Sequence, residues 1–351
     1  MIEIRNAVEE DNSALIELQK KCPMGRSLIL QFDSSPSYFN RSKHQTENHI
    51  IVAVEEGNIV GSASCAFMEK RVNGKTLRTA YNYSLMVDPS HRRKGIATLL
   101  TERREEIATE HDIDMIFCQI TQDNMPSIRI QEKRNFIHVK DITSYVLMVY
   151  KPQRPSTNGV IRPAEEPDLP RIVNLINDTY SEYDLYKPHK VDEFKELIEK
   201  RAHYDLNNIH VYEKEGEVKA CLGYWDYNEV IQMTVLQLAR KDQLMNFALA
   251  FLGIFTKLPR IPKPGQRLTQ YFLQDIGFTK PEYLTELVKH VNNIALKNNI
   301  TVLIALGVEE PITDVLSKFM NTTSTEHIYA KPLKELDLTG FGQKKIFLSM
   351  E

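Results

Sequence analysis

The chain has 351 residues, of which 42% are hydrophobic and 26% are charged, and its formal net charge is −3. This composition is typical of a folded globular protein, the length predicts two domains, and the near-balanced charge argues against a nucleic-acid partner. The acidic N-terminus does not resemble a signal peptide and no apolar run is long enough to span a bilayer. We therefore expect a cytoplasmic protein without membrane contact.

The first elements along the chain recur in its second half. Residues 4–18, IRNAVEEDNSALIEL, match residues 161–175, IRPAEEPDLPRIVNL, and each copy predicts a strand, a turn and an amphipathic helix. A later match places paired strands around Gly57 and Gly216. The stretch KPQRPSTNG, residues 151–159, has the composition of a linker. We expect an N-terminal domain at 1–150 and a second domain at 160–351.

The rest of the first copy predicts alternating strands and helices. Residues 79–87 and 115–121 form strands, a helix lies between them, and a short helix at 124–134 begins with Asn124 as its N-cap. Two more strands follow, at 136–140 and 143–150. This order predicts a mixed α/β fold with helices packed on a central sheet.

A run of positive charge precedes the helix that follows the 79–87 strand. Residues 92–97 read RRKGIA, so three cations stand at a helix start, where the backbone itself favours anions. Gly95 has no Cβ and lets an anion approach the backbone closely. The pattern predicts a phosphate-binding loop, with a basic surface turn as the alternative. The spacing GxxxxGK[ST] of a P-loop is absent.

This loop resembles motif A, [RQ]xxGx[GA] after a strand, of the GCN5-related N-acetyltransferase (GNAT) superfamily. The second motif of that family, Nxx[AS]xxxYxKxGF, is matched by Asn124, Ser127, Lys133 and Phe136. The resemblance covers residues 1–150. It implies two tandem GNAT domains, each with a mixed central sheet flanked by helices, and acetyl-CoA as co-substrate without a metal.

The resemblance also implies which residues bind acetyl-CoA. The pyrophosphate would lie on the backbone of the motif A loop, and the pantetheine arm and acetyl carbonyl along the preceding strand. Asn124 and Ser127 would contribute from the second motif. The implied residues are Leu85, Met86, Val87, Arg92, Arg93, Lys94, Gly95, Ile96, Ala97, Thr98, Asn124 and Ser127.

Two positions depart from the family pattern. Asn135 replaces a glycine, and asparagine tolerates left-handed backbone better than most residues. Gln131 replaces the tyrosine that usually protonates the departing thiolate. A thiol with a pKa of ~8.5 leaves readily, whereas deprotonating an amine with a pKa of ~10.4 at pH 7 costs roughly 4.6 kcal/mol. We therefore expect the site to depend on a base more than on an acid at Gln131.

The candidates for that base are aromatic. Strand alternation places Tyr81 and Tyr83 on one face together with Leu85 and Val87. Either tyrosine would relay a proton through water or stack on the acceptor, and the alternative for each is packing on the sheet. Asp123 is a weaker candidate. The four cysteines lack a CxxC spacing, so we expect no thiolate metal site.

The second copy lacks motif A. Its equivalent region, residues 268–287, contains no RxxGxG, and Pro281 begins a helix there. We expect a degenerate domain that shapes the acceptor site or an interface. A helix predicted at 241–258 is apolar enough to support a homodimer.

The resemblance implies an N-acetyltransferase that moves acetyl from acetyl-CoA to a primary amine by direct attack. The acceptor, a small molecule or a protein amine, stays open. The main alternative, suggested by Gln131, is a non-catalytic acyl-CoA-binding or regulatory module. A transferase for longer acyl chains is the third.

Overall fold

The computed structural model describes residues 1–43, 45, 47–156, 158–239, 259 and 262–349. The strands in these ranges are β1 (Ile2–Asn6), β2 (Leu28–Asp33), β3 (Glu47–Glu55), β4 (Asn58–Val72), β5 (Lys75–Val87), β6 (Met115–Thr121), β7 (Ile137–Met148), β8 (Val160–Pro163), β9 (Ile209–Lys214), β10 (Glu217–Asp226), β11 (Gln232–Leu238), β12 (Gln270–Phe278), β13 (Val302–Val308) and β14 (Asn321–Pro332). The α-helices are α1 (Asn12–Lys21), α2 (Ile96–Glu110), α3 (Met125–Lys133), α4 (Leu169–Thr179), α5 (Val191–Lys200), α6 (Pro281–Lys297) and α7 (Ile312–Leu316).

Twelve of these strands form one mixed sheet in the order β1-β3-β4-β5-β6-β14-β7-β13-β12-β10-β9-β8. The order reads as two equivalent halves that meet between β14 and β7. Within each half one pair is parallel, β5 with β6 and β12 with β13. The predicted fold class, two tandem α/β domains with a mixed central sheet, is confirmed.

The halves exchange their last strands. Strand β14 from the end of the chain pairs with β6, and β7 from the first half pairs with β13. The two exchanged strands also pair with each other along most of their length. One continuous sheet therefore runs through both repeats, and the boundary at 151–159 stays a prediction about sequence units.

The repeated sequence pattern produces a repeated local structure. Arg5 forms an ion pair of 2.6 Å with Asp11, and Arg162 forms one of 2.6 Å with Asp168. Each aspartate is the N-cap residue of its helix and also accepts the backbone N–H three residues earlier at 2.9 Å. The same side-chain and backbone contacts thus fix the start of the first helix in both halves.

Two segments differ from the structure predicted from the sequence, and a third lies outside the described residues. Residues 137–148 form one strand instead of the two predicted, because the exchanged β14 gives this segment a continuous partner. The segment 22–41, whose proline, glycine and serine content predicts a loop-rich stretch, contains β2, which pairs with β11 of the second half in a separate two-stranded sheet. The predicted helix at 241–258, and with it the proposed dimer surface, lies outside the described residues.

Helix α2 packs closely on the first half of the sheet. A Cβ at Gly61 of β4 would lie 2.9 Å from the Ile96 side chain, so glycine is needed for this approach. Ile96 and Leu100 of α2 are buried in the core between this helix and the sheet. The N-terminus of α2 is therefore held at the end of β5. No α-helix in the described ranges combines the length and apolar character required to cross a membrane.

Candidate functional site

The loop between β5 and α2 is built around Asp88. Its Oδ1 accepts the Ser90 backbone N–H at 2.9 Å and the Ser90 hydroxyl at 2.6 Å, which starts a single 3-10 turn at Pro89–His91. The hydrogen bond from Ser90 is the main reason that the pKa of Asp88 is lowered to about 2. This turn directs the following residues toward the start of α2.

The loop then presents a series of free backbone N–H groups. Arg93 and Gly95 have left-handed φ values of 67° and 81°. Gly95 O accepts the N–H groups of Thr98 and Leu99, but residues 93–97 donate none of their backbone N–H groups to other described residues. A Cβ at Gly95 would meet nothing within 4 Å. Consecutive unpaired N–H groups at a helix N-terminus, facing open space, form an anion-binding nest.

The cationic side chains of this loop differ in their surroundings. Lys94 lies 3.4 Å from Glu55, which also lies 3.2 Å from the His91 ring. Arg92 donates through Nε to the Val87 carbonyl at 3.2 Å. No carboxylate of the described chain pairs with Arg92 or Arg93. Two of the three cations therefore remain available to an anion at the nest.

Strand β5 separates from β6 just before this loop. The two strands pair only from Thr79 to Asn82, so residues 83–87 are paired with β4 alone. The separation leaves backbone groups of β5 without a strand partner on the β6 side. Such an open edge accepts an extended ligand by main-chain hydrogen bonding.

A β-bulge at Ser84 changes the direction of the side chains. Ser84 has a left-handed φ of 50°, and an extra residue is accommodated between the pairs Ser64 with Tyr83 and Ser62 with Met86. The expectation that Tyr81, Tyr83, Leu85 and Val87 share a face is therefore wrong. Leu85 and Val87 pack into the core under α2, whereas Tyr81 packs with Phe117 on the other face.

The two tyrosines form a stacked pair, with ring centroids 5.6 Å apart. The Tyr83 hydroxyl lies 2.9 Å from Asn48 Oδ1 and 3.0 Å from Gln45 Oε1. Burial raises the pKa of Tyr81 to about 12 and raises the pKa of Tyr83 further. Both are neutral hydrogen-bonding groups at physiological pH, not bases.

Arg41 contacts both the bulge residue Ser84 and the ring of Tyr83. Arg41 donates to the Ser84 hydroxyl at 2.9 Å, and its guanidinium lies 4.9 Å from the Tyr83 ring centroid. Tyr38 is buried in the core beside it. Arg41 was not identified from the sequence, because it stands in a segment whose pairing with the second half has no local signal.

A buried carboxyl group reaches this face from the second half. Glu326 of β14 is 7% exposed and hydrogen-bonds with the Gln119 amide and, at 3.1 Å, with the Ser144 hydroxyl. Burial raises the pKa of Glu326 in spite of these hydrogen bonds, and its charge acts on Tyr81. The alternation of Glu326 with the buried Ile328 and Ala330 was the available sequence signal.

The second motif has the expected helix cap and left-handed residue, but Gln131, which replaces the usual tyrosine, is buried. Asn124 Oδ1 accepts the Ser127 N–H at 3.4 Å and caps α3, and Asn135 has the left-handed φ of 61°. Gln131 is 3% exposed on the same buried stripe as Ile128. Its Oε1 accepts no hydrogen bond from the described residues.

The second half keeps the bulge but not the nest. Asp275 has a left-handed φ of 51° in β12, and the register shift against β10 matches that of the first half. Only Thr279 and Lys280 separate β12 from α6, and Pro281 at the helix start has no N–H group. In place of the eight-residue loop 88–95, this short connection presents no series of free N–H groups.

Two clusters have metal-ligand residue types. In one, Glu47 Oε1 lies 3.5 Å from both His49 Nε2 and His111 Nε2. In the other, Asp141 hydrogen-bonds with His138 and His327, at 2.7 and 2.6 Å.

The four cysteine thiols are buried, and burial raises the pKa of Cys65 and Cys118 to about 12, so these thiols are inert.

Comparisons with known proteins relate part of the first half of the chain to acetyltransferases. Residues 12–136 match the model of the acetyltransferase (GNAT) family. An N-alpha-acetyltransferase of Saccharolobus solfataricus is 25% identical over 149 residues, which are 40% of this chain and 84% of that protein. The segment that matches the family model, residues 12–136, contains the loop, the bulge and α3.

Solved structures extend the likeness in fold to nearly the whole chain. Saccharomyces cerevisiae N-myristoyltransferase with bound myristoyl-CoA superposes with a TM-score of 0.66 at 12% identity, over 99% of this chain and 85% of that one. A GCN5-related N-acetyltransferase from Sphaerobacter thermophilus gives a TM-score of 0.62 at 12% identity, over 96% and 98% of the two chains.

Proposed function

We propose, from the premise that this chain belongs to the GNAT superfamily through its domain at residues 12–136, that it is an N-acyltransferase that moves acetyl from acetyl-CoA to an amine. The observation that carries the proposal is the nest of free N–H groups at residues 93–97, directly after the open edge of β5. A phosphate-bearing, extended co-substrate is complementary to both features.

The proposed binding mode follows the chain. The pyrophosphate lies on the N–H groups of residues 93–97, where Arg92, Arg93 and Lys94 add positive charge and Thr98 lies one residue further into α2. The pantetheine arm runs along the backbone of Leu85, Met86 and Val87. Asn124 and Ser127, joined by the hydrogen bond that caps α3, would contribute from the second motif.

The proposed chemistry is direct transfer. The neutral amine attacks the thioester carbonyl, the C–N bond forms and the C–S bond breaks. CoA leaves as a thiolate, and the proton lost by the nitrogen passes to a protein base or to solvent. A backbone N–H near Val87 stabilises the oxyanion. Glu326 is the proposed proton acceptor, with Tyr81 and Tyr83 orienting the amine by hydrogen bonds.

The character of the site favours an α-amine as acceptor. An α-amine with a pKa of ~7.7–8.0 costs about 1 kcal/mol to deprotonate at pH 7, against roughly 4.6 kcal/mol for a lysine-like amine. Because Tyr81 and Tyr83 stay protonated and do not act as bases, the site is better suited to the α-amine, which costs less to deprotonate. The N-alpha-acetyltransferase relative, 25% identical over 149 residues, supports the same choice.

Two other functions have specific support. The buried Gln131 in place of a general acid favours a non-catalytic acyl-CoA-binding module. The shared fold with a protein that binds myristoyl-CoA favours a longer acyl chain. Competition of acetyl-CoA against myristoyl-CoA in a binding assay separates the chain lengths, and turnover on amines separates enzyme from module.

The first experiment is calorimetric titration of acetyl-CoA into the wild type and Gly95→Asp. The carboxylate stands in front of the nest, so binding should fall at least a hundredfold. Gly216→Asp is the matched control, because Gly216 also has a positive φ with nothing within 4 Å of its Cβ position. Equal binding by both variants, or none by the wild type, would overturn the proposal.

A further inference from the structure

The two halves of the chain can be compared residue by residue at their bulges. In the first half the register shifts between Ser62 and Ser64, opposite Ser84. In the second half it shifts between Cys221 and Gly223, opposite Asp275. Ser84 and Asp275 both have left-handed φ values, of 50° and 51°. They therefore occupy the same place in the two repeats.

Each bulge residue is held by one arginine, but the two pairs differ in charge. Arg201 is 4% exposed and forms an ion pair of 2.8 Å with Asp275, which the Tyr204 hydroxyl also contacts. Arg41 donates to the Ser84 hydroxyl, a neutral acceptor, at 2.9 Å. The positive charge is compensated in the second half and uncompensated in the first.

The surroundings of Arg41 supply no other counter-ion. Its neighbours Tyr38, Tyr81, Tyr83 and Tyr227 are protonated, since burial raises the pKa of each and the Arg41 charge only partly opposes that rise. No carboxylate in the described chain lies within 4.0 Å of Arg41. A half-buried guanidinium is normally paired with an anion. Arg41 lacks such a partner among the described residues, so an anionic group of a ligand would be favoured beside it.

A small cavity lies beside Arg41. Its lining includes Ser34, Ser64, Tyr83 and Ser84, and its volume of about 10 Å³ admits one water-sized group, which is the size of a single carboxylate oxygen. The Ser64 hydroxyl is buried there without a hydrogen-bond partner among the described residues. Ser84 immediately precedes the segment of Leu85, Met86 and Val87, along which the co-substrate is proposed to run. An anion held by Arg41 would therefore lie beside one end of that segment.

We propose that Arg41 binds a carboxylate of the acceptor, so that the substrates of this chain are amines that carry a carboxylate within a few bonds of the nitrogen, as amino acids and peptides with an acidic first residue do. This inference rests on the proposed function and names its substrate class. The guanidinium forms charge-assisted hydrogen bonds to the carboxylate, and the tyrosine rings exclude water around it.

The test uses two isosteric pairs of amine probes with saturating acetyl-CoA. The pairs are tripeptide amides that begin with Asp or Asn, and with Glu or Gln. The wild type should prefer the acidic member of at least one pair by about ten- to a hundredfold in kcat/KM, the range that a hydrogen bond to a charged group supplies. An equal rate on both members of both pairs would overturn the proposal.

Three variants decide whether Arg41 causes the preference. Ser84→Asp gives Arg41 the carboxylate that Arg201 has in the second half, and Arg41→Gln removes the charge; both should abolish the preference. Arg41→Lys should restore part of it. Ser317→Asp adds the same charge at an exposed position of the second half and should leave the preference intact. A preference that survives Ser84→Asp would contradict the assignment.

Binding measurements separate this proposal from the acyltransferase proposal. The acetyl-CoA Kd is measured for each variant by calorimetry, which checks the cofactor site independently. Ligand-observed NMR then compares the α-amides of N-acetylaspartate and N-acetylasparagine, which differ only in the side-chain carboxylate, on the wild type and Arg41→Gln. Carboxylate binding that depends on Arg41 supports the site even without turnover, whereas equal binding of the two probes rejects it.

Discussion

Arg201 and Asp275 form an ion pair of 2.8 Å, with side chains only 3% and 8% exposed, at the bulge of the half that lacks a phosphate nest. The half that has the nest places Arg41 against Ser84 at the same point. The second half therefore satisfies its bulge arginine with an internal carboxylate, and we infer that the first half leaves the equivalent position for a ligand.

The first prediction concerns the contribution of the Arg201–Asp275 ion pair to the stability of the fold. Asp275→Ser leaves the Arg201 charge buried without a partner, so the free energy of unfolding should fall by about 3–5 kcal/mol. Urea denaturation of the full chain measures the change. Arg41→Gln, which removes no ion pair, is the comparison and should cost far less. Similar losses in the two variants would show that the pairs are energetically equivalent.

The second prediction concerns the loop before α2. Asp88→Asn weakens the acceptor that holds Ser90, so the loop should lose order and the acetyl-CoA Kd should rise about tenfold. The pKa of Asp88 is lowered to about 2, mainly by Ser90, so its stabilising effect is complete above the unfolded pKa of ~3.9 and is lost as pH falls toward 2. Urea midpoints between pH 5 and pH 2 should fall less steeply for Asp88→Asn. A parallel decline in both proteins would contradict this role.

The third prediction concerns proton transfer. If Glu326 accepts the amine proton, Glu326→Gln should lower kcat by about 10²–10⁴-fold and remove the acidic limb of the pH-rate profile. Burial raises the pKa of Glu326, so that limb should lie above the ordinary glutamate value of ~4.3. The same raised pKa means that ionising Glu326 costs stability as pH rises through this range. Ser144→Ala, which removes one of its hydrogen bonds, serves as the control and should shift the limb upward without removing it.

The fourth prediction concerns Gln131. The side chain is 3% exposed, so Gln131→Tyr should overpack the site and lower stability by about 1–3 kcal/mol without raising kcat. Gln131→Leu removes the buried Oε1, which accepts no hydrogen bond from the described residues, at similar side-chain volume and should be as stable as the wild type or more so. Thermal unfolding and initial rates measure both effects. A rise in kcat for Gln131→Tyr would mean that the site lacks an acid it can use.

The sequence was most informative where a signal is local. The turn at Gly57, the helix starts at Asn124 and Ile96, and the left-handed Asn135 depend on neighbouring residues, and the structure contains all of them. The expectation for β5 was wrong at one residue. A single bulge at Ser84 reverses a period-two pattern, and serine gives no warning of a left-handed conformation.

The acceptor side of the site could not be predicted for a different reason. Arg41 and Glu326 are 285 positions apart, and Glu326 is held by hydrogen bonds with Gln119 and Ser144 of the other half. Strand β2 has no partner in its own repeat and pairs with β11. Such pairings satisfy backbone hydrogen bonds over long separations, and no periodicity within one segment reports them.

The exchanged strands also bear on how the chain is made. Thr121 pairs with Glu326, so the β6 edge of the first half stays unpaired until β14 has left the ribosome. A nascent chain that ends near residue 150 would display this edge together with β7, and unpaired strand edges are templates for aggregation. Completion of the sheet in the first half thus waits for the synthesis of β14, and a product terminated before β14 should be cleared as misfolded.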